Sequence, residues 1–204
     1  MGLPQHKTEY YTYADYQSWP EEVRYELIDG VAYAMAPAPT RTHQHLVGEL
    51  FRQVATALKG KPCQAFVAPF DVRLPHTDER DDKVDTVVQP DVLVVCDETK
   101  LDECGVRGAP DWVAEVLSPS SAKRDLIVKL AVYERAGVPE YWLLHPTDRL
   151  VSVYRLVNGQ YGRPEISEMQ GSLAVGVLPD VTIDWSLSPT EKEQEWISHY
   201  KTSG

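Results

Sequence analysis

The chain predicts an α/β or α+β fold, a sheet flanked by helices, and three observations carry that expectation. Apolar residues recur at helical spacing in two separated stretches, 40–59 and 121–136. Around them lie short runs rich in β-branched and aromatic residues, which read as strands. Asp29-Gly30, between two such runs, is the strongest short signal for a hairpin. The segments therefore run helix, hairpin, helix, strands, helix, strands, and no internal repeat is visible.

Taken in order, residues 1 to 9 have no pattern and are expected to form a loose arm. Thr12 followed by Asp15 resembles an N-cap with an acidic third position, which predicts a short helix through Trp19, stopped near Pro20. Arg24 to Ile28 and Val31 to Met35 form the arms of the hairpin. From Thr40 to Lys59, Leu46, Val47, Leu50, Phe51, Val54, Ala55 and Leu58 make one apolar stripe, and Gly60 ends the helix. Strands are expected at Cys63 to Val67, Phe70 to Leu74, Gln89 to Val95 and Trp112 to Leu117, with 104–109 as a glycine-rich connection between the last two. Ser118-Pro119-Ser120-Ser121 reads as a helix entry with Ser120 or Ser121 as cap. The helix then runs from Ser121 to Ala136, with Gly137 as its C-cap. Strands follow at Glu140 to Leu144 and Leu150 to Leu156, with Asn158-Gly159 turning into Tyr161. A short separate helix is expected from Pro189 to Tyr200. Together these give an arm over 1–11, one domain over 12–185 and a tail over 186–204, which suits a length of 204 residues.

Hydrophobic content of 43% and charged content of 25% are those of a globular chain. No apolar run approaches the ~18 residues that span a bilayer, and the N-terminus lacks a signal-peptide core, so a cytoplasmic location is expected. Cys63, Cys96 and Cys104 are odd in number and widely spaced, which favours reduced thiols over a disulfide frame or a zinc knuckle. The formal net charge of -11 works against simple nucleic-acid binding, which depends on Lys and Arg neutralising phosphates. Part of that charge lies in the loop 76–85 and part in the face Glu191, Glu193 and Glu195.

The chemistry concentrates in two strands. Asp91 opens one apolar run and Glu115 interrupts the other, each where a core strand would carry a hydrophobe. Buried carboxylates are costly unless compensated, and two on adjacent strands repel unless a cation sits between them. One reading is a divalent metal held by both acids. The bland reading has Asp91 bonding loop amides and Glu115 paired with an arginine. Lys129 either points back at the same place, to orient water or steady a phosphate, or makes an exposed helical pair with Asp125. Glu26 either completes the metal environment or faces solvent from an alternating strand. His43, Gln44 and His45 open the long helix, and rank low as metal ligands because rings two apart point in different directions. No Gly-x-Ser-x-Gly elbow and no Walker or dinucleotide loop is present, which argues against a serine nucleophile and against nucleotide cofactors.

Several spaced motifs agree with one family. Tyr25 to Gly30, Pro69 to Leu74, Gln89-Pro90-Asp91, Glu115 to Ser121, Asp125 with Lys129 and Tyr133, and Gly137 to Trp142 run in the order of the Uma2 family, also called DUF820. The chain resembles these restriction-endonuclease-like proteins of the PD-(D/E)XK nuclease superfamily over roughly residues 12 to 165. The resemblance implies a mixed central sheet flanked by helices, and a metal-dependent phosphodiesterase site. In it Asp91 and Glu115 hold Mg2+, with Mn2+ as substitute, and Glu26 is an additional acid. Leu117 stands where the superfamily motif has lysine, and the resemblance moves that role to Lys129. His145 stands where family members often have aspartate.

The function expected is therefore a metal-dependent endonuclease acting on DNA, with Asp91, Glu115 and Lys129 as catalytic residues and a homodimer as the assembly. Two alternatives differ in class. One is a non-catalytic homo-oligomeric interaction protein that keeps the fold, with the aromatic segment from Tyr141 to Tyr154 as a surface. The other is a small-molecule metallohydrolase, although no convergent His and Asp set of the dinuclear kind is visible in the sequence.

Overall fold

The computed structural model describes residues 9–20, 24–35, 39–118 and 124–187. Most of the expected arm, the capping serines Ser120 and Ser121, and the expected tail helix lie outside them. Helix α1 (Tyr13–Tyr16) is a single turn, shorter than the run to Trp19 that its cap suggested. The Asp15 carboxylate returns to the Thr12 amide at 2.8 Å. Strands β1 (Tyr25–Ile28) and β2 (Val31–Ala34) pair antiparallel about Asp29 and Gly30, whose φ values of 49° and 74° are those of the hairpin turn that favours Asp-Gly. A Cβ on Gly30 would also run into the Tyr10 ring. Helix α2 (Arg41–Ala57) is capped by Thr40, whose hydroxyl accepts from the His43 amide at 3.2 Å.

After β3 (Gln64–Val67) and β4 (Val72–Arg73), the structure corrects two expectations. The strand expected from Gln89 to Val95 begins only at Val92. This β6 (Val92–Val95) and an unexpected β5 (Val87–Val88) before it lie in different sheets, and Gln89-Pro90-Asp91 carries the chain across. Pro90 has no N–H for a ladder, so the break falls there. The stretch 104–109 is not merely a connection, because β7 (Leu101–Asp102) and β8 (Gly105–Arg107) form a further small hairpin. Strand β9 (Trp112–Val116) follows. Among the described residues the next helix has a π-helical stretch, Arg124–Lys129, and continues as α3 (Leu130–Ala136), ending at Gly137 with φ 87°. Strands β10 (Glu140–His145), β11 (Leu150–Val157), β12 (Gln160–Tyr161), β13 (Glu165–Glu168), β14 (Ser172–Ala174) and β15 (Thr182–Asp184) complete the described chain.

The larger sheet runs β12-β11-β10-β9-β6-β3, with β13 also on β11. It is mixed: β9 and β10 are parallel, joined through α3, and the other pairs are antiparallel. The smaller sheet runs β2-β1-β5-β4-β8-β7. Alternation assigns each strand's faces. Val92, Val94, Trp112, Ala114, Trp142 and Leu144 face α2, which buries Leu46, Val47, Leu50 and Val54 against them. Leu93, Val95, Val113, Tyr141 and Leu143 face the other way, towards α3 and the smaller sheet's Ile28, Val72, Val88 and Val106. The outer side of the smaller sheet packs Leu27 and Val87 under Tyr13.

The cysteine expectation is also corrected. Gln64 opposes Val95 in the β3/β6 ladder, so Cys63 and Cys96 face each other one step further out, with Cα atoms 3.9 Å apart, and they form a disulfide. Their separation of 33 residues conceals what strand pairing creates. Cys104 is free and exposed. No helix among the described residues is long and apolar enough to cross a membrane.

Candidate active site

Asp91 and Glu115 are brought together by register. Val92 pairs with Ala114 and Leu93 with Val113, so one step beyond the ladder Asp91 stands opposite Glu115, on the face turned towards α3. Each carboxylate holds the other strand's backbone. Val116 N–H donates to Asp91 Oδ2 at 2.8 Å, and Asp91 N–H to Glu115 Oε2 at 3.3 Å. Asp91 thus bonds an amide, but that of the neighbouring strand and not the loop amides of its bland reading. Glu115, however, meets a lysine rather than an arginine.

Lys129 is 3% exposed and not on the surface as its bland reading had it. Its Nζ lies 2.7 Å from Glu115 Oε1, 2.7 Å from Glu26 Oε1 and 3.7 Å from Asp125 Oδ1. Tyr133, one helical turn on, donates its hydroxyl to Glu115 Oε1 at 2.9 Å. The π-helix that carries Asp125 to Lys129 is a rare conformation that occurs frequently at functional sites. Leu117 shares Glu115's face and packs among apolar neighbours, so the ammonium that reaches Glu115 comes from the helix and not from the strand.

Glu26 is wholly buried on β1, because the smaller sheet lays that face against the larger one. It accepts from the Gln89 amide at 3.0 Å. The Gln89 side chain accepts from Arg24 and donates to Asp71 Oδ1 at 2.7 Å and to the Tyr16 hydroxyl at 3.1 Å. The crossing segment that delivers Asp91 is thus tied to α1, to β1 and to the loop before β4.

These groups carry surplus negative charge. Burial pushes the Glu115 pKa up to about 8; Lys129 opposes the shift, while Asp91, Asp125 and Glu26 add to it. Burial also opposes the Lys129 ammonium, but Glu115, Glu26 and Asp125 more than offset this and hold its pKa well above the ordinary lysine value. Lysine therefore stays charged, and Glu115 is the group that takes up a proton. Three carboxylates around one ammonium, with a fourth, Asp91, opposing Glu115, suit a divalent cation on Asp91 and Glu115.

His43, ranked low from the sequence, does reach the site. Its Nε2 lies 3.2 Å from Asp91 Oδ2. Burial works against a charged ring, but hydrogen bonding and attraction from Asp91 win, and the pKa is raised. Gln44 and His45 are exposed and point elsewhere. The missed signal is spacing: His43 lies three, four and seven residues before Leu46, Val47 and Leu50, on the buried stripe. His145 stands apart, its Nε2 3.1 Å from Ser152 Oγ.

A second cluster occupies the hairpin turn. Asp29, His76 and Asp85 are the residues whose ligand atoms converge within 4.8 Å of one another, the one such group of three among the described residues. Its charges are already met: Asp29 pairs with Arg135 at 2.6 Å, and Asp85 accepts from Tyr10 and sits 3.0 Å from His76. It lacks the unbalanced charge found at Asp91 and Glu115.

The crystal structure of a putative nuclease belonging to DUF820 from Anabaena variabilis ATCC 29413 matches with a TM-score of 0.65 and 21% identity, over 89% of this chain and 96% of that one. Identity this low speaks to the fold, which is restriction-endonuclease-like: a mixed central sheet flanked by helices. No curated protein matches the chain. The Uma2 family model, described as "putative restriction endonuclease", matches residues 13–187. That match runs from the start of α1 to the last described residue, and the chain belongs to the Uma2 family.

Proposed function

We propose that the protein is a metal-dependent endonuclease that hydrolyses DNA phosphodiester bonds, with Mg2+, or Mn2+ in its place, held by Asp91 and Glu115. The observation that carries this reading is the Lys129 ammonium, buried 2.7 Å from Glu115 beside the opposed Asp91. A bound divalent ion would supply Lewis-acid assistance to water and to the phosphodiester. The chain's own residues do the remainder. Glu26 and Asp125 fix Lys129, which orients the attacking water and steadies charge on the phosphate. Tyr133 holds Glu115 by the same oxygen as Lys129, leaving Oε2 turned to Asp91. Substrate approaches from the side of Asp91 and His43, whose side chains are 20% and 13% exposed, since the other groups are buried.

Part of the acidic balance is engaged in ion pairs that do not involve Asp91 or Glu115. Asp81 and Asp102 are drawn onto Arg73, and Asp29 onto Arg135. We read residues 12–185 as the catalytic unit of a cytoplasmic homodimer, with 1–11 as an arm and 186–204 as a tail.

Supercoiled plasmid incubated with the full chain in Mg2+, Mn2+ or EDTA tests the proposal, alongside Asp91→Ala. Cleavage that needs metal and vanishes in the variant is expected. Intact plasmid in every lane with a folded protein overturns it, in favour of the non-catalytic interaction protein.

A further inference from the structure

We propose that His43 is a nitrogen donor of the same metal site, paired with Asp91, and that it biases the site towards Mn2+ and similar transition ions over Mg2+. This rests on the metal-dependent reading above. The argument starts at the helix cap. Thr40 fixes the first turn of α2 by accepting from the His43 amide, which sets the ring on the stripe that faces the sheet. From there Nε2 comes to 3.2 Å from Asp91 Oδ2. Neighbouring ligands of a six-coordinate ion at ~2.1 Å stand about 3.0 Å apart. The His43–Asp91 spacing is close to that value, so the pair is spaced as two adjacent donors.

His43 Nδ1 is buried and has no hydrogen-bond partner among the described residues. Its polar contacts are with Asp91 and the Val116 backbone, at the accessible rim of a cluster whose remaining members are almost closed to solvent. Imidazole suits transition divalents, whereas Mg2+ prefers carboxylate, carbonyl and water. A site with one imidazole beside carboxylates therefore differs in preference from a site of carboxylates alone.

Calorimetric titration of the full chain with MnCl2 and with MgCl2, on wild type, His43→Ala and His43→Asp, tests this without any cleavage assay. In wild type, Mn2+ binds more tightly than Mg2+, and His43→Ala loses about tenfold or more in Mn2+ affinity, the size of a lost metal-site contact, with little change for Mg2+. His43→Asp restores an oxygen donor and shifts the preference towards Mg2+. Pulsed electron paramagnetic resonance of bound Mn2+ shows a nitrogen coupling in wild type that His43→Ala removes. A parallel fall for both ions with an unchanged ratio, or a nitrogen coupling that survives in His43→Ala, overturns the ligand. If wild type binds neither ion, the metal-dependent reading fails as well. If it binds both equally and His43→Ala is silent, this inference alone fails.

Discussion

Strand β1 serves two acid clusters three residues apart. Glu26 points inward to Lys129, between the sheets, where the exposure of Glu26, Glu115, Asp125 and Lys129 is 4% or less. Asp29, at the turn, meets Arg135 and His76 with side chains 36% to 51% exposed. The inner cluster has more carboxylates than cations and takes up a proton on Glu115, whereas the outer one pairs each acid with a base or a hydroxyl. Like residue types thus do different work. Solvent and local pairing satisfy the outer set, and the inner set remains unbalanced where only a metal or a proton can compensate it. Proximity of ligand atoms alone would have selected the outer cluster.

The sharpest way to break this comparison is to remove a cation from each side. Lys129→Met leaves Glu26 and Glu115 buried without their shared ammonium, and should cost about 3–5 kcal/mol in denaturant unfolding, as for other broken buried pairs. If it unfolds no more readily than wild type, the inner cluster is not held by charge.

A pH series sharpens the same point. With its folded pKa raised to about 8 from an ordinary 4.5, Glu115 binds a proton more tightly when folded. That stability is complete below the unfolded value and is lost as pH rises through the folded one. The Tm of metal-free wild type should therefore fall between pH 5 and pH 8, and Glu115→Gln should flatten that slope. Glu115→Gln should also abolish plasmid cleavage while circular dichroism stays native. A steep slope retained in the variant would assign the proton elsewhere.

Thr40→Ala removes the cap behind His43 and should cost about 1 kcal/mol, the usual value for a lost N-cap, read from urea midpoints. Arg135→Ala, at the outer cluster, should cost between about 0 and 1 kcal/mol, as exposed pairs do, and leave cleavage rates unchanged. A loss there matching that of Lys129→Met would erase the distinction between the clusters.

Local rules account for much of the fold. Asp29-Gly30, the α2 stripe, and Gly137 after α3 each act through neighbours in sequence, and each stands where expected. The facing of Asp91 and Glu115 was expected from consecutive strands, but β7 and β8 intervene in the chain and join the other sheet, so β6 meets β9 through sheet order. Other features depend on strand order. The same apolar pattern serves β5 and β6, and only their partners divide them between sheets. Cys63 meets Cys96 because β3 lies against β6, which no spacing announces. The π-helix before α3 was equally hidden, since its apolar content suits an α-helix as well.

The sequence by itself determined which residue types were available to the site and which motifs carry them, because propensity, capping and turn chemistry act over a few residues. The tertiary structure decided which of them meet. Glu26 reaches Lys129 only because one sheet is laid on the other, and His43 reaches Asp91 only because α2 begins beside the crossing segment. The charge state of Glu115 follows from the same packing, since the field at a buried carboxylate is set by whichever groups surround it in space.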